Sequence, residues 1–461
     1  MSGDVVSTEH YIFLALWLVG PVALFAYNSS HGRLPGVLVY AYIVGFFINH
    51  WMGALVHAAP NNEFTDSADT IVGFRLSTYG LVAFLIGALL AGRPDNDPVA
   101  RTSSRRRFVW QLDELKILSA GGKLFLAIGA LFWLLAETQI AFLPGAGAVI
   151  PAGKQYLLLG VGLLSWVAWR KGDLYKFRLW LAAGFILPPI TVVTSGFIGY
   201  GISMLATILV FVAMFYRPRW LLLFGWLAAI YAGMSFWVAY HEHRTEIRRA
   251  VWGGQDYDAR VDAILKVQES LVPFSISNQR HLDQIHLRLN QNSLVGAAVR
   301  VTPQYVPFQE GQTLLNALIA FIPRAVWPEK PTVGGSGNYV SMHTLIEFAD
   351  GTSVGMGQVL EFYINFGVPA VLIGFVMLGY LLVRLDTALV GAMKKGNLGR
   401  LQFFFVIGTG ALQPGGAMTE VVASMAGGAI LAYLVSVYLE YGVKARPTRP
   451  DRKASTFSLN P

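Results

Sequence analysis

The 461-residue chain contains no cysteine, which excludes a disulfide framework, a cysteine-ligated metal centre and every thiol nucleophile. Charge is scarce as well: Asp, Glu, Lys and Arg make up 13% of the residues, against roughly 25% in a soluble domain. The first ten residues hold neither Lys nor Arg, so the basic n-region of a cleaved secretory signal is missing and the first apolar run reads as retained. The sequence shows no repeat and no low-complexity stretch. What it has in excess is apolar side chains, 54% of the total, with a mean hydropathy of +0.50. These lie in successive runs near bilayer length, so lipid is the expected solvent and an all-α, polytopic helical bundle the expected fold.

Runs bounded by Pro, Gly and charge predict about eleven spans: Tyr11 to Tyr27, Gly36 to Ala59, Thr70 to Gly92, Leu124 to Leu143, Gln155 to Trp169, Phe177 to Val193, Phe197 to Tyr216, Trp220 to Tyr240, Gln358 to Val383, Leu398 to Leu412 and Val421 to Tyr441. Charge tests the count, because Lys and Arg concentrate in cytoplasmic loops. Alternate connections, beginning with the one that carries Arg33 and ending with the tail, hold 23 basic residues. The opposite short connections hold one, Lys154. This split places the N-terminus outside and the C-terminus in the cytoplasm. It also explains a pI near 9.5 as a topology signal facing anionic headgroups rather than a nucleic-acid surface. The chain divides into spans one to eight (1–240), an extracytoplasmic loop (241–357), spans nine to eleven (358–441) and a basic cytoplasmic tail (442–461). The loop is nearly neutral, with ten basic and eleven acidic residues. Helical spacing appears at Val261 to Leu271, Leu282 to Leu289 and Gln312 to Ile322.

Ionisable residues within spans usually face a cavity. Arg75, Glu137, Glu361 and Glu420 all fall near the predicted outer face, where the loop adds Arg244, Arg248, Arg249, Arg324, Lys330 and His343. In the run Ile322 to Pro331, IPRAVWPEKP, three prolines stiffen the backbone so that Arg324 and Lys330 form a potential anion clamp. An interfacial turn with snorkelling cations fits the same residues. His241, His243, His281 and His286 match no zinc spacing, so neither a metal nor a cofactor is expected.

The IPRAVWPEKP run, Gly334 to Asn338, Thr352-Ser353 and Glu361-Phe362-Tyr363-Ile364-Asn365-Phe366-Gly367 resemble the Wzy-like oligosaccharide repeat-unit polymerases, most strongly over roughly Gln312 to Leu382. O-antigen ligases are similar to these polymerases. The resemblance implies metal-independent glycosyl transfer at the outer face of a bacterial cytoplasmic membrane. The donor would be a polyprenyl-diphosphate-linked oligosaccharide, drawn from the membrane lipids, with a chain-length regulator as a further partner. Arg324, Lys330, Arg75, Arg244 and Arg248 would bind the diphosphate, Arg324 would stabilise the leaving group, and Glu361 or His343 would act as base. One departure stands out. Many relatives carry an Arg in the Ser-Gly turn before a middle helix, whereas Thr194-Ser195-Gly196-Phe197 has none, so a cation from elsewhere, Arg75 and Arg244 being candidates, would have to replace it. Competing expectations are an O-antigen ligase-like transferase, a metal-dependent transferase using Glu63, Asp66 and Asp69, and a lipid-linked sugar transporter or flippase.

Overall fold

The structure, a computed structural model, describes residues 7–30, 36–59, 63–91, 112–138, 146–196, 198–215, 219–320, 336–348 and 354–444, with Ile322, Trp327 and Glu329 between them. Helices are the only regular secondary structure among these residues. They are α1 (Thr8–Ser30), α2 (Val37–His57), α3 (Ser67–Ala91), α4 (Leu112–Leu135), α5 (Ala146–Arg170), α6 (Leu174–Phe185), α7 (Leu187–Ser195), α8 (Ile198–Phe215), α9 (Arg219–Trp252), α10 (Tyr257–Glu269), α11 (Gln279–Leu289), α12 (Gln291–Val301), α13 (Gln312–Ala320), α14 (Ser336–Thr344), α15 (Gln358–Lys394), α16 (Leu398–Gly410) and α17 (Met418–Lys444).

Among the described residues, seven segments are long and apolar enough to cross a membrane: α1, α2, α3, Leu115–Leu135 of α4, Leu174–Thr194 across α6 and α7, α15, and Met418–Glu440 of α17. The chain is therefore a helical membrane protein. The expected tenth span appears as the 13-residue α16, whose length of about 20 Å is less than a hydrocarbon core of about 30 Å. The expected sixth is a pair of short helices, joined at Ile186 immediately before Leu187-Pro188-Pro189. The expected eighth continues without a break from Tyr240 to Trp252.

Contacts between spans rely on close backbone approach, since apolar burial gains little in lipid. On α3, Gly73 and Gly87 lie on one face. A Cβ on Gly73 would stand 1.9 Å from the Asn292 carbonyl oxygen of α12, and one on Gly87 would stand 2.0 Å from the Val376 carbonyl oxygen of α15. Polar groups then fix the register. Asp386 of α15 accepts the backbone N–H groups of Leu38 and Val39, each at 3.0 Å, and so caps α2 from another helix. On the same helix pair, Tyr42 Oη donates to Gln358 Oε1 at 2.5 Å.

The 241–357 segment does not merely rest on the bundle. Its helix α12 packs along α3, and the buried Asn292 donates to the His50 carbonyl at 2.7 Å while its Oδ1 lies 2.8 Å from His50 Nδ1 and accepts from Ser77 Oγ at 3.1 Å. At the far end of α12, Arg300 holds Asp69 in a two-point pair at 2.8 and 3.1 Å. Helices α10, α11 and α13 form where apolar spacing predicts them; α12 and α14 are additions.

Candidate functional site

Glu361 owes its position to two breaks in the backbone. Gly357, with φ +70°, opens α15. The helix is then interrupted at Phe366 (φ −146°, ψ 23°) and Gly367 (φ 68°, ψ −155°), just before Pro369. The Gly367 geometry is open essentially only to glycine. Gln358 to Asn365 thus forms a short separate helix that precedes the spanning part of α15. Within it Glu361 is fully buried. Its Oε2 accepts the Met418 N–H of α17 at 2.6 Å. Its Oε1 is buried with no directed hydrogen bond among the described residues. Asn365 closes the far side, donating to Thr313 Oγ1 and to the Glu361 carbonyl, both at 2.7 Å. Glu361 faces a small cavity shared with Thr313 of α13, Ser336 and Tyr339 of α14, Met356 and Thr419. A buried carboxylate beside the Thr313 hydroxyl in such a cavity can take a proton from a hydroxyl or donate one.

His343 lies one helical turn beyond Tyr339 on α14, and it is also buried. Both of its ring nitrogens are engaged. Nδ1 lies 2.8 Å from Thr302 Oγ1 and Nε2 lies 2.9 Å from Gln309 Nε2. An amide nitrogen can only donate, so Nε2 is the acceptor and Nδ1 carries the proton. Burial pushes the imidazole below its ordinary pKa and keeps it neutral. Thr302 in turn accepts, through its carbonyl, the hydroxyl of Tyr363 at 3.0 Å. His343 is thereby a strut between the segment and α15, whereas Glu361 faces open volume.

Arg244 and Arg248 sit elsewhere. Tyr240, Arg244, Arg248 and Trp252 recur every four residues along one face of α9. This face meets the turn between α7 and α8: Tyr240 Oη donates to the Gly196 carbonyl at 2.7 Å, and a Cβ on Gly196 would touch Arg248 Cγ at 3.4 Å. Arg248 also lies over the Trp252 ring at 4.9 Å. Arg248 thus packs its aliphatic stem on this turn, and both Arg244 and Arg248 lie beside Tyr240, while Arg75 is elsewhere. Burial, then the guanidiniums of Arg288 and Arg248, push Arg244 down to about 10. Among the described residues no carboxylate forms an ion pair with Arg244 or Arg288. Burial and the same three Arg residues push His241 down to about 4.

Arg75 is committed to Glu9, with Nε and a terminal nitrogen at 2.8 and 2.7 Å from its two oxygens. Glu420 lies at the start of α17, beside the Glu361 cavity. Arg324, Lys330, Thr352, Ser353 and the stretch before Ser336 lie outside the described residues. No hydrogen bond or ion pair among the described residues joins Arg244 or Arg248 to Glu361. The two places are linked through Gln291, which follows Arg288 by three residues, donates to the Gly415 carbonyl at 3.2 Å and packs on Gly357. Arg288 was not a sequence candidate; its i−4 relation to Asn292 carries no local signal of an anion site.

The family model described as "Domain of unknown function (DUF8712)" matches residues 173–389, a stretch that includes both the arginine cluster and Glu361. No curated protein and no solved structure matches the chain.

Proposed function

We propose that the chain is a membrane glycosyltransferase that joins polyprenyl-diphosphate-linked oligosaccharide repeat units into surface polysaccharide. The observation that carries this reading is the wall shared by Glu361 and Thr313. Thr313 belongs to α13, and α13 runs directly into Ile322 to Pro331, the stretch bearing Arg324 and Lys330. A carboxylate suited to activate an acceptor hydroxyl thus shares a wall with the helix that leads in sequence to two cations suited to a leaving diphosphate. Guanidinium and ammonium groups do the charge work that a metal does in other transferases. Arg244 and Arg288, beside the turn where similar polymerases carry an Arg, give the donor a second foothold for its anionic group.

In this reading the chain crosses the bacterial cytoplasmic membrane eleven times. The N-terminus and the 241–357 segment are outside and the C-terminus is in the cytoplasm, as the 23 to 1 division of basic residues supports. The deciding experiment is reconstitution of the purified chain in liposomes with a synthetic polyprenyl-diphosphate-linked repeat unit and no nucleotide sugar. Ladders of longer lipid-linked glycan are expected. Transfer only onto a different acceptor would make it a ligase, and movement of the unit between leaflets without a new glycosidic bond would make it a transporter.

A further inference from the structure

His57, at the end of α2, meets His286 of α11 and Asp66 of the connection before α3. Their potential ligand atoms all lie within 4.8 Å of one another. His57 Nε2 is 3.6 Å from Asp66 Oδ1 and 3.2 Å from His286 Nδ1, and His286 Nε2 is 3.3 Å from Asp66 Oδ1. Bond lengths of about 2.0–2.1 Å to a tetrahedral zinc imply ligand separations of about 3.3 Å, which the two contacts to Asp66 Oδ1 approach. His286 offers an ion only one ring nitrogen, so with Nε2 as the ligand its 3.2 Å contact to His57 runs through Nδ1 and is not a ligand separation. Asp66 Oδ1 is buried between the two imidazoles, with His286 Nε2 the nearer at 3.3 Å.

The surroundings hold the three groups in place. Phe64 stacks on the His286 ring with centroids 4.2 Å apart. Asn290 Nδ2 lies 3.1 Å from His286 Nδ1 and donates to Thr70 Oγ1 at 2.9 Å, tying the imidazole to α3. Met52, Val56, Leu282 and Ile285 form a dry floor. The Asp66 side chain keeps 31% of its exposure and that of His286 14%, which leaves a way in for an ion and a fourth position for water.

We propose that His57, Asp66 and His286 form a binding site for one divalent transition-metal ion of the zinc type. The ion clasps α11 of the 241–357 segment to the end of α2. Two imidazoles and one carboxylate suit zinc and its neighbours, whereas calcium and magnesium prefer all-oxygen shells. The site is separate from Glu361, and the proposal does not depend on the transfer reaction. The histidine spacing could not show it, because His57 and His286 are 229 residues apart.

The test uses the full chain in detergent, purified through a tag without histidine, stripped with a chelator, loaded with Zn2+ and desalted. Elemental analysis should find one equivalent in the wild type, an upward shift of the unfolding temperature that chelator reverses, and affinity weaker by about 100-fold or more in Asp66→Asn and His286→Gln. His243→Gln, whose imidazole lies 3.0 Å from Ser270 Oγ, should retain the ion. Loading the wild type with Co2+ should give the intense visible absorption of a four-coordinate site, a readout that needs no variant to fold. Loss of the ion on desalting, a weak six-coordinate cobalt spectrum, or equal retention by Asp66→Asn and His286→Gln would each overturn the proposal.

Discussion

Glu361 Oε2 accepts the backbone N–H of Met418 at 2.6 Å, so the carboxylate of α15 is docked against the first turn of α17. That contact separates a chemical role from a structural one. Glu361→Gln keeps an oxygen for Met418 and should preserve the fold, but an amide cannot take a proton. Turnover of the lipid-linked donor should fall roughly 100-fold or more, with donor affinity retained and the pH profile altered. Weakened donor binding at normal turnover would instead make Glu361 a positioning residue. Near-normal values of both would remove it from the site.

His241 offers a pH test of the arginine face. Its Nδ1 lies 3.1 Å from the Trp237 carbonyl, and its pKa is pushed down to about 4 by burial and then by Arg244, Arg288 and Arg248. The unfolded chain protonates near its ordinary value of about 6.5. Between those values the unfolded state binds the extra proton. The stabilising contribution is therefore full above about pH 6.5 and is lost as the pH falls toward 4. Thermal unfolding in detergent should show a wild-type advantage over His241→Gln that shrinks across this window, on the order of 1 kcal/mol after allowance for solvent screening. A difference that stays constant from pH 7.5 to 4.5 would contradict the sign.

The chain's lack of cysteine makes single-cysteine labelling clean. Thr65→Cys and Ser336→Cys should react with a membrane-impermeant maleimide in cells with a permeabilised outer envelope. Ser103→Cys and Asn397→Cys should react only after lysis. Labelling of Ser103→Cys from outside would overturn the eleven-crossing arrangement. It would leave intact the seven apolar helices that their own length defines.

Periodic apolar runs are a local signal, and so the all-helical membrane architecture, seven spanning segments among the described residues and the amphipathic helices α10, α11 and α13 were legible in the sequence. Relations between distant residues were not. The notion of a late loop lying over the membrane face misses α12, because Asn292 reads as an ordinary polar residue until His50 and Ser77 are known to face it. Arg75 was legible as a charge needing a partner, but Glu9 lies 66 residues away. Glu361 was identified by its motif and its place at a helix start. The break at Gly367 that sets it apart from the span needed the backbone angles. Of the Gly196 turn, the sequence revealed only a missing Arg. That Arg248 packs against it depends on α9 continuing beyond the apolar run, which hydropathy alone would end near Tyr240.

The strongest discriminator for the transfer reaction is the pair Arg324→Lys and Arg324→Ala. Three prolines in the Ile322 to Pro331 run restrict the backbone, so the side chain at position 324 has few ways to compensate for a change in its neighbours. If Arg324 meets the leaving diphosphate, the positive charge contributes first and the planar, two-point fork second. Lys keeps the charge and loses the fork; Ala loses both. The expected order of turnover is wild type, then Arg324→Lys, then Arg324→Ala. The Ala variant should lose roughly 100- to 1000-fold, comparable to removing one oxyanion donor in other enzymes, with the amount of folded protein near normal in both. Single-turnover assays with the synthetic donor check the order, and size-exclusion profiles check the fold. Equal loss in the two variants at normal protein level would mean that the fork, not the charge, is needed. Loss of folded protein in both would assign Arg324 to the interfacial turn instead.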